Sequence, residues 1–165
     1  SDFAENGYAH GVPMGGDLSK APAGKPPAFM VHAMRDPDGP NLDRIQVIKG
    51  WLDKDGKSQE RIFDVAVSGG RKIGPDGRCK TPVGNTVDVA NATYTNTIGA
   101  ATLSVYWKDP VFDAGARAFY YVRVIQIPSP RWTAYDQKRY GTKMPDDVPM
   151  TVTDRAYTSP IWYTP

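Results

Sequence analysis

Histidine and cysteine are scarce in this chain of 165 residues, and their scarcity limits the chemistry it can perform. The two histidines, His10 and His32, are far apart and show no H-E-x-x-H spacing. A site with several metal ions needs more imidazole ligands than they supply. The single cysteine, Cys79, excludes an internal disulfide, and we interpret it as a loop thiol without a role. A G-x-S-x-G nucleophile motif is also absent, so we expect no catalytic residue and no cofactor in this stretch.

Long apolar runs and blocks of like charge are missing as well. No segment is apolar over the 18 residues that a transmembrane helix requires. The 20 basic and 18 acidic residues are dispersed and leave a net charge of +2, so no basic stripe for phosphates is visible. We therefore expect neither a membrane span nor nucleic-acid binding. The chain opens with Ser1 rather than Met, and we expect it to be part of a longer protein.

Glycine and proline are abundant, with 16 and 15 residues respectively. Proline is excluded from helix interiors and central strands, so this composition predicts many turns and long connections. Residues 1–27 are read as an irregular N-terminal arm. Residues 68–89 form a long loop with several Gly and Pro turn signals, and loops of that length are often functional.

Strand signals dominate the remaining sequence. Alternation of apolar and polar residues, or short apolar runs bounded by turns, predicts strands. The predicted strands are Ala28–Met34, Leu42–Leu52, Glu60–Val67, a short one near Thr93–Thr97, Thr102–Trp107, Ala118–Ile127 and Ile161–Tyr163. No strand alternates with a long helix, which argues against a parallel α/β sheet. We expect residues 28–165 to form one mainly β domain, an antiparallel two-sheet β-sandwich of immunoglobulin-like type with long loops.

One short helix is predicted at Ala134–Tyr140. Thr133 is positioned to cap its N-terminus, and Asp136 three residues later completes a capping-box pattern. Gly141 stands where a helix-terminating glycine belongs.

A cluster of oxygen ligands offers one candidate metal site. Asp36, Asp38, Asn41 and Asp43 lie close together around Gly39, as calcium loops require. The spacing of an EF-hand and its bidentate glutamate are absent, and two prolines stiffen the segment. Asp and Asn are also ordinary turn formers, so a plain turn is the competing interpretation.

Aromatic residues near the end of the chain offer a candidate binding surface. Exposed Trp and Tyr rings can stack on sugars, which favours a carbohydrate-binding β-sandwich module as an alternative function. Its candidate residues are Arg131, Trp132, Tyr135 and Trp162. The same residues would also suit a hydrophobic core or a domain interface.

Several long motifs, in this order, resemble the C-terminal end of the bacterial domain-of-unknown-function family 3604. They are GYAHGVPMGGDL at 7–18, DRIQVIKGW at 43–51, PVGNTVD at 82–88, RAFYYVRV at 117–124, PRWTAYD at 130–136 and RAYTSPIWYTP at 155–165. The resemblance extends over nearly the whole chain.

The resemblance implies a larger protein. Members of this family are several times longer, and their upstream part looks related to PHP-type metal-dependent hydrolases. The resemblance thus implies that any catalytic divalent metal belongs to a preceding domain, which would be the partner of this one. It also implies a bacterial, periplasmic or secreted protein. We expect a non-catalytic C-terminal β domain that packs on or shapes the catalytic domain of such a hydrolase.

Overall fold

The computed structural model describes residues 3–165, and ten strands, two α-helices and one 3₁₀ helix occur there. In chain order they are α1 (Phe3–His10), β1 (Asp17–Ser19), the 3₁₀ helix (Pro22–Gly24), β2 (Ala28–Met34), β3 (Leu42–Leu52), β4 (Ser58–Val67), β5 (Thr102–Lys108), β6 (Ala118–Gln126), β7 (Ser129–Pro130), α2 (Trp132–Tyr140), β8 (Thr151–Val152), β9 (Arg155–Tyr157) and β10 (Ile161–Thr164). The chain is mainly β, as predicted from its strand signals.

The larger sheet has the strand order β1-β10-β6-β3-β4, and β9 pairs with β6 on the side where β10 also pairs. The long strand β3 lies at its centre, antiparallel to both β4 and β6. The one departure from antiparallel pairing in this sheet is β1, which lies parallel to β10. A separate two-stranded ribbon consists of β2 and β5, and β7 pairs with β8.

The ribbon packs against one face of the larger sheet, and the core lies between them. Ile45 and Val47 from β3 are fully buried there. Trp107 of β5 contacts Phe29 of β2 and Phe63 of β4, with ring centroids 5.8 and 5.1 Å apart. This two-layer arrangement agrees with the predicted β-sandwich, although the second layer has only two strands.

Helix α2 begins two residues earlier than predicted, at Trp132, and this changes the role of Thr133. Arg131 occupies the N-cap position without a capping side-chain bond. The Thr133 hydroxyl donates instead to Pro149 O over 2.7 Å, so the predicted capping box is wrong. The Thr133 hydroxyl thus bonds to a residue distant in sequence rather than to the first turn of the helix. Gly141 does end the helix, at φ 67°, and its amide donates to Gln137 O.

The predicted N-terminal arm is more ordered than its composition indicated. It contains α1, β1 and the 3₁₀ helix within residues 3–27, whereas residues 1–2 of the arm lie outside the described part. The strand predicted near Thr93–Thr97 is wrong, because only one bridge, between Asp88 and Thr93, occurs there.

The connection between β4 and β5 is anchored to the sheet by buried polar groups. Arg71 forms an ion pair with Asp43 and donates to the carbonyls of Ser68 and Thr81. Arg44 donates to Cys79 O over 3.1 Å. The predicted loop is therefore irregular in backbone but fixed in position. No helix in residues 3–165 is long and apolar enough to cross a membrane.

Candidate functional site

Four aromatic side chains form a continuous row on the face of the larger sheet that points away from the ribbon. We call Trp162, Phe119, Tyr121 and Tyr157 the aromatic row. Successive ring centroids are 5.3, 6.4 and 6.3 Å apart. Trp162 is 49% and Tyr157 57% exposed, so the two ends of the row face solvent.

Strand register explains how the row assembles. Residues i and i+2 of a strand lie on one face, so Phe119 and Tyr121 share the outer face of β6 while Tyr120 points into the core. Trp162 of β10 lies directly opposite Phe119. Strand β9 continues along the same edge of β6 and supplies Tyr157, which lies opposite Arg123.

Gly50 makes room for the Phe119 ring. It lies opposite Phe119 on β3, and a Cβ atom placed there would approach Phe119 Cζ to 2.2 Å. Phe119 therefore extends across the neighbouring strand, which only a glycine at this position permits. Ile48, opposite Tyr121 on the same strand, is fully buried although it lies on the outer face.

The guanidinium group of Arg123 lies near the Tyr157 end of the aromatic row and is held by a hydrogen bond. Arg123 follows Tyr121 on the same face, and its Nε donates to Gln46 Oε1 over 2.7 Å. The Gln46 amide in turn donates through Nε2 to Asp64 Oδ1 over 2.6 Å. Among residues 3–165, Arg123 has no carboxylate within 4.0 Å and no hydrogen bond at its two Nη atoms.

Asp64 anchors this arrangement as a buried carboxylate. Burial acts to raise the pKa of Asp64, but hydrogen bonds from Gln46 and from the Cys79 amide act in the opposite direction. The charges of Arg44 and Arg78 add to that lowering, so the pKa of Asp64 lies below its usual range. Asp64 is thus a fully compensated structural anion.

The structure separates the residues of the predicted carbohydrate surface. Arg131, Trp132 and Tyr135 lie together at the first turn of α2, where the Arg131 guanidinium is 5.7 Å from the Trp132 ring centroid. Trp132 is 60% and Tyr135 49% exposed. Trp162 lies on β10 instead, and its ring contact in the described part is with Phe119.

Three of the four candidate calcium ligands have hydrogen-bond or ion-pair partners within the protein. Asp36 caps a turn by accepting from the Asp38 amide, and Asn41 donates to the carbonyls of Asn96 and Ile98. Asp43 forms ion pairs with Arg44 and Arg71. The guanidinium of Arg35 already binds the carbonyl oxygens of residues 36, 37 and 39.

His32 of β2 and Ser104 of β5 form a hydrogen bond. Among residues 3–165, no other histidine is seen bonded to a hydroxyl group. Ser104 Oγ lies 2.6 Å from His32 Nδ1 on the outer face of the ribbon. No acidic side chain among residues 3–165 hydrogen-bonds to His32, so the third member of a catalytic triad is missing from the described residues.

Two open clefts occur on the surface of the described residues. A cleft of about 560 Å³ lies beside the C-terminus of α2, and one of about 480 Å³ lies between β2 and the β6–β9 pair. Within the described chain, no group of three His, Cys, Asp or Glu side chains is placed to hold a metal ion.

Sequence reasoning identified Trp162 but missed its partners. Alternation in β6 does place Phe119 and Tyr121 on one face with Arg123. What it cannot provide is the register that sets β10 and β9 beside β6, since these pairings join distant parts of the chain.

Comparison with known proteins gives one match. The model of family DUF3604, described as a protein of unknown function, matches residues 1–165. The chain matches no curated protein and no solved structure.

Proposed function

Because this chain belongs to family DUF3604, a family of unknown function, we propose that it acts as a non-catalytic β domain of a longer metal-dependent hydrolase. It would form the C-terminal part of that protein and pack against a catalytic domain that holds the metal. The resemblance of longer family members to PHP-type hydrolases motivates this assignment. The same resemblance leads us to propose that the protein is periplasmic or secreted.

The observation that carries the proposal is a group of exposed apolar side chains on the outer face of the ribbon, beside the polar pair His32 and Ser104. Met30 and Met34 of β2 project there with Tyr106 of β5, and they are 37%, 70% and 60% exposed. Met and Tyr are enriched in protein interfaces and costly to leave in water. A neighbouring domain of the same polypeptide is the partner that would cover this face.

The buried acidic residues support a structural role for the charges of this domain. Asp43, Asp64 and Asp109 are all buried, and each forms an ion pair with Arg or Lys. Each of these carboxylates is paired with a cation of the fold, and removing either partner would leave an uncompensated buried charge.

The first experiment tests catalysis. Purified 1–165 is assayed with bis(p-nitrophenyl) phosphate in the presence of Mn²⁺ or Zn²⁺, beside the full-length polypeptide. We expect turnover by the full-length protein alone. Metal-dependent turnover by 1–165, with stoichiometric metal binding, would refute the non-catalytic assignment.

A second experiment tests packing. The upstream part of the polypeptide is co-expressed with 1–165 carrying a tag, and Met34→Glu and Tyr106→Glu are compared with Tyr140→Glu on α2. We expect the two ribbon variants to weaken co-purification and the α2 variant to leave it unchanged. Equal recovery of all variants would contradict the ribbon as the contact surface.

Glycan binding is a second candidate function, favoured by the aromatic row. Partly exposed rings in a continuous line provide stacking surfaces for successive sugar units. Trp162→Ala should then abolish oligosaccharide binding by 1–165 while Trp132→Ala leaves it intact. The reverse result would assign binding to α2 instead.

A further inference from the structure

On the premise that the aromatic row binds glycans, we propose that its ligand is an acidic sugar chain whose carboxylate is bound by Arg123. Neutral polysaccharides and peptides are the competing ligands. The assignment depends on three features of the outer face, and each concerns a different group of atoms.

The first feature is an arginine whose charge is not compensated. Arg123 is partly buried, and no Asp or Glu oxygen of residues 3–165 lies within 4.0 Å of its nitrogens. Its neighbour Asp64 already has Arg44 and Arg78 as ion-pair partners. A half-buried cation without a counter-ion favours an anionic ligand.

The second feature is the orientation of that guanidinium. Nε is fixed by the 2.7 Å bond to Gln46 Oε1, and Gln46 is fixed in turn by its bond to Asp64. Because Gln46 donates to a carboxylate and accepts from a guanidinium, its amide has one consistent orientation. Both Nη atoms of Arg123 are left for a ligand, and this pair of donors matches the two oxygens of a carboxylate.

The third feature is the surroundings of Arg123. Tyr121 precedes it on the same face, and Tyr157 lies directly opposite it on β9. The two tyrosine rings are 6.3 Å apart and both are strand neighbours of Arg123, so a sugar ring stacked on them would lie in the vicinity of its guanidinium. Arg155, exposed and two residues before Tyr157, adds a second positive charge on the same side.

The opposite end of the row has a different polarity. Asp17 lies beside Trp162 in the β1–β10 pair and is exposed. Its carboxylate can accept hydrogen bonds from sugar hydroxyls but would repel a uronate. The charges therefore predict that the acidic group of the ligand lies at the Arg123 end.

The test measures binding of purified 1–165 by titration calorimetry. The probes are oligogalacturonate, which carries carboxylates, chondroitin sulfate, which adds sulfates, and galacto-oligosaccharide, which is neutral. We expect oligogalacturonate to bind most tightly, and binding to weaken as salt is raised. Tighter binding of chondroitin sulfate would instead identify sulfate as the recognised anion and overturn the carboxylate assignment.

Variants locate the binding group. Arg123→Gln should lower the affinity for oligogalacturonate by at least about tenfold, since an ionic hydrogen-bond pair is lost. It should weaken binding of the neutral probe much less. Arg155→Gln should have a smaller effect in the same direction, and Arg139→Gln on α2 is the matched control. Circular dichroism checks that each variant is folded.

Two negative results have different meanings. Equal affinity for acidic and neutral probes, unaffected by Arg123→Gln, would overturn the assignment of an acidic ligand and leave the row as a general glycan site. Failure of all three probes to bind would overturn the glycan function together with it.

Discussion

Lys49 Nζ lies 2.6 Å from Asp109 Oδ2 inside the core, where both side chains are almost fully buried. The Tyr120 hydroxyl donates to the same oxygen over 2.7 Å, and Lys49 also donates to Val111 O. Burial, followed by the neighbouring Asp109 carboxylate, raises the pKa of Tyr120 far above its usual value, so the phenol stays protonated as a donor. The pair thereby ties the β5–β6 connection to the central strand β3.

Removing one member of this pair should be costly. Lys49→Met leaves the Asp109 carboxylate buried without its cation, so we expect the free energy of unfolding to fall by about 3–5 kcal/mol. Adding Asp109→Asn should recover part of that loss. Urea denaturation measures both. The control is Lys80→Met at the exposed Lys80–Asp76 pair, which should leave the midpoint unchanged. A midpoint shift as small for Lys49→Met as for the control would contradict the prediction.

Acid should destabilise the fold partly through Asp64. Its pKa is lowered in the folded state, so the stabilisation it provides is complete above its unfolded pKa of about 4 and is lost as the pH falls through the folded pKa. Asp64→Asn, though less stable at neutral pH, should lose less stability on acidification. Unfolding free energies measured from about pH 6 to pH 2 give the two curves. Parallel curves would show that Asp64 is not linked to acid unfolding.

Gly50→Ala should perturb the aromatic row directly. The added methyl group would overlap the Phe119 ring, so we expect a loss of about 1–3 kcal/mol together with weaker oligosaccharide binding. Combining it with Phe119→Ala should cost less than the sum of the two single changes, because the overlap is then removed. Gly7→Ala in α1, which meets nothing within 4 Å, is the control and should not destabilise.

Cys79 should report on the opening of the segment that Arg71 anchors. The thiol is 7% exposed and contacts Thr81 O, so a disulfide reagent should label the native protein slowly. Arg71→Ala removes its ion pair with Asp43 and should speed labelling at least about tenfold, because local opening becomes easier. Arg131→Ala should have no effect. Rapid labelling of the unmodified protein would contradict this account.

The sequence predicted strands well where short-range signals were strong. The bounds of β2 and β3 were correct, and β6 differed by one residue at its end, because alternation and bounding prolines act locally. The family match over residues 1–165 also confirms the predicted family, DUF3604.

The elements and contacts that the sequence did not predict depend mostly on residues distant in the chain. Strand β1 has three residues, too few for a periodic signal, and is a strand because β10 binds it. Helix α1 lies in a segment whose composition indicated irregular structure. Thr133 satisfied the pattern of a cap, yet its hydroxyl found Pro149 O, a partner that only the folded chain supplies. For the same reason, the row formed by Trp162, Phe119 and their neighbours could not be read from spacing.

The parallel pairing of β1 with β10 makes the order of synthesis matter. Strand β1 is translated well before β10, the strand with which it pairs. Both Gly15 and Lys20 donate backbone hydrogen bonds to residues of the final segment, at Pro160 and Thr164. Strand β1 in the N-terminal arm therefore remains unpaired until β10 has been translated. Removal of β10 would also release β1, so a change at residues 161–164 would affect the pairing of residues 17–19.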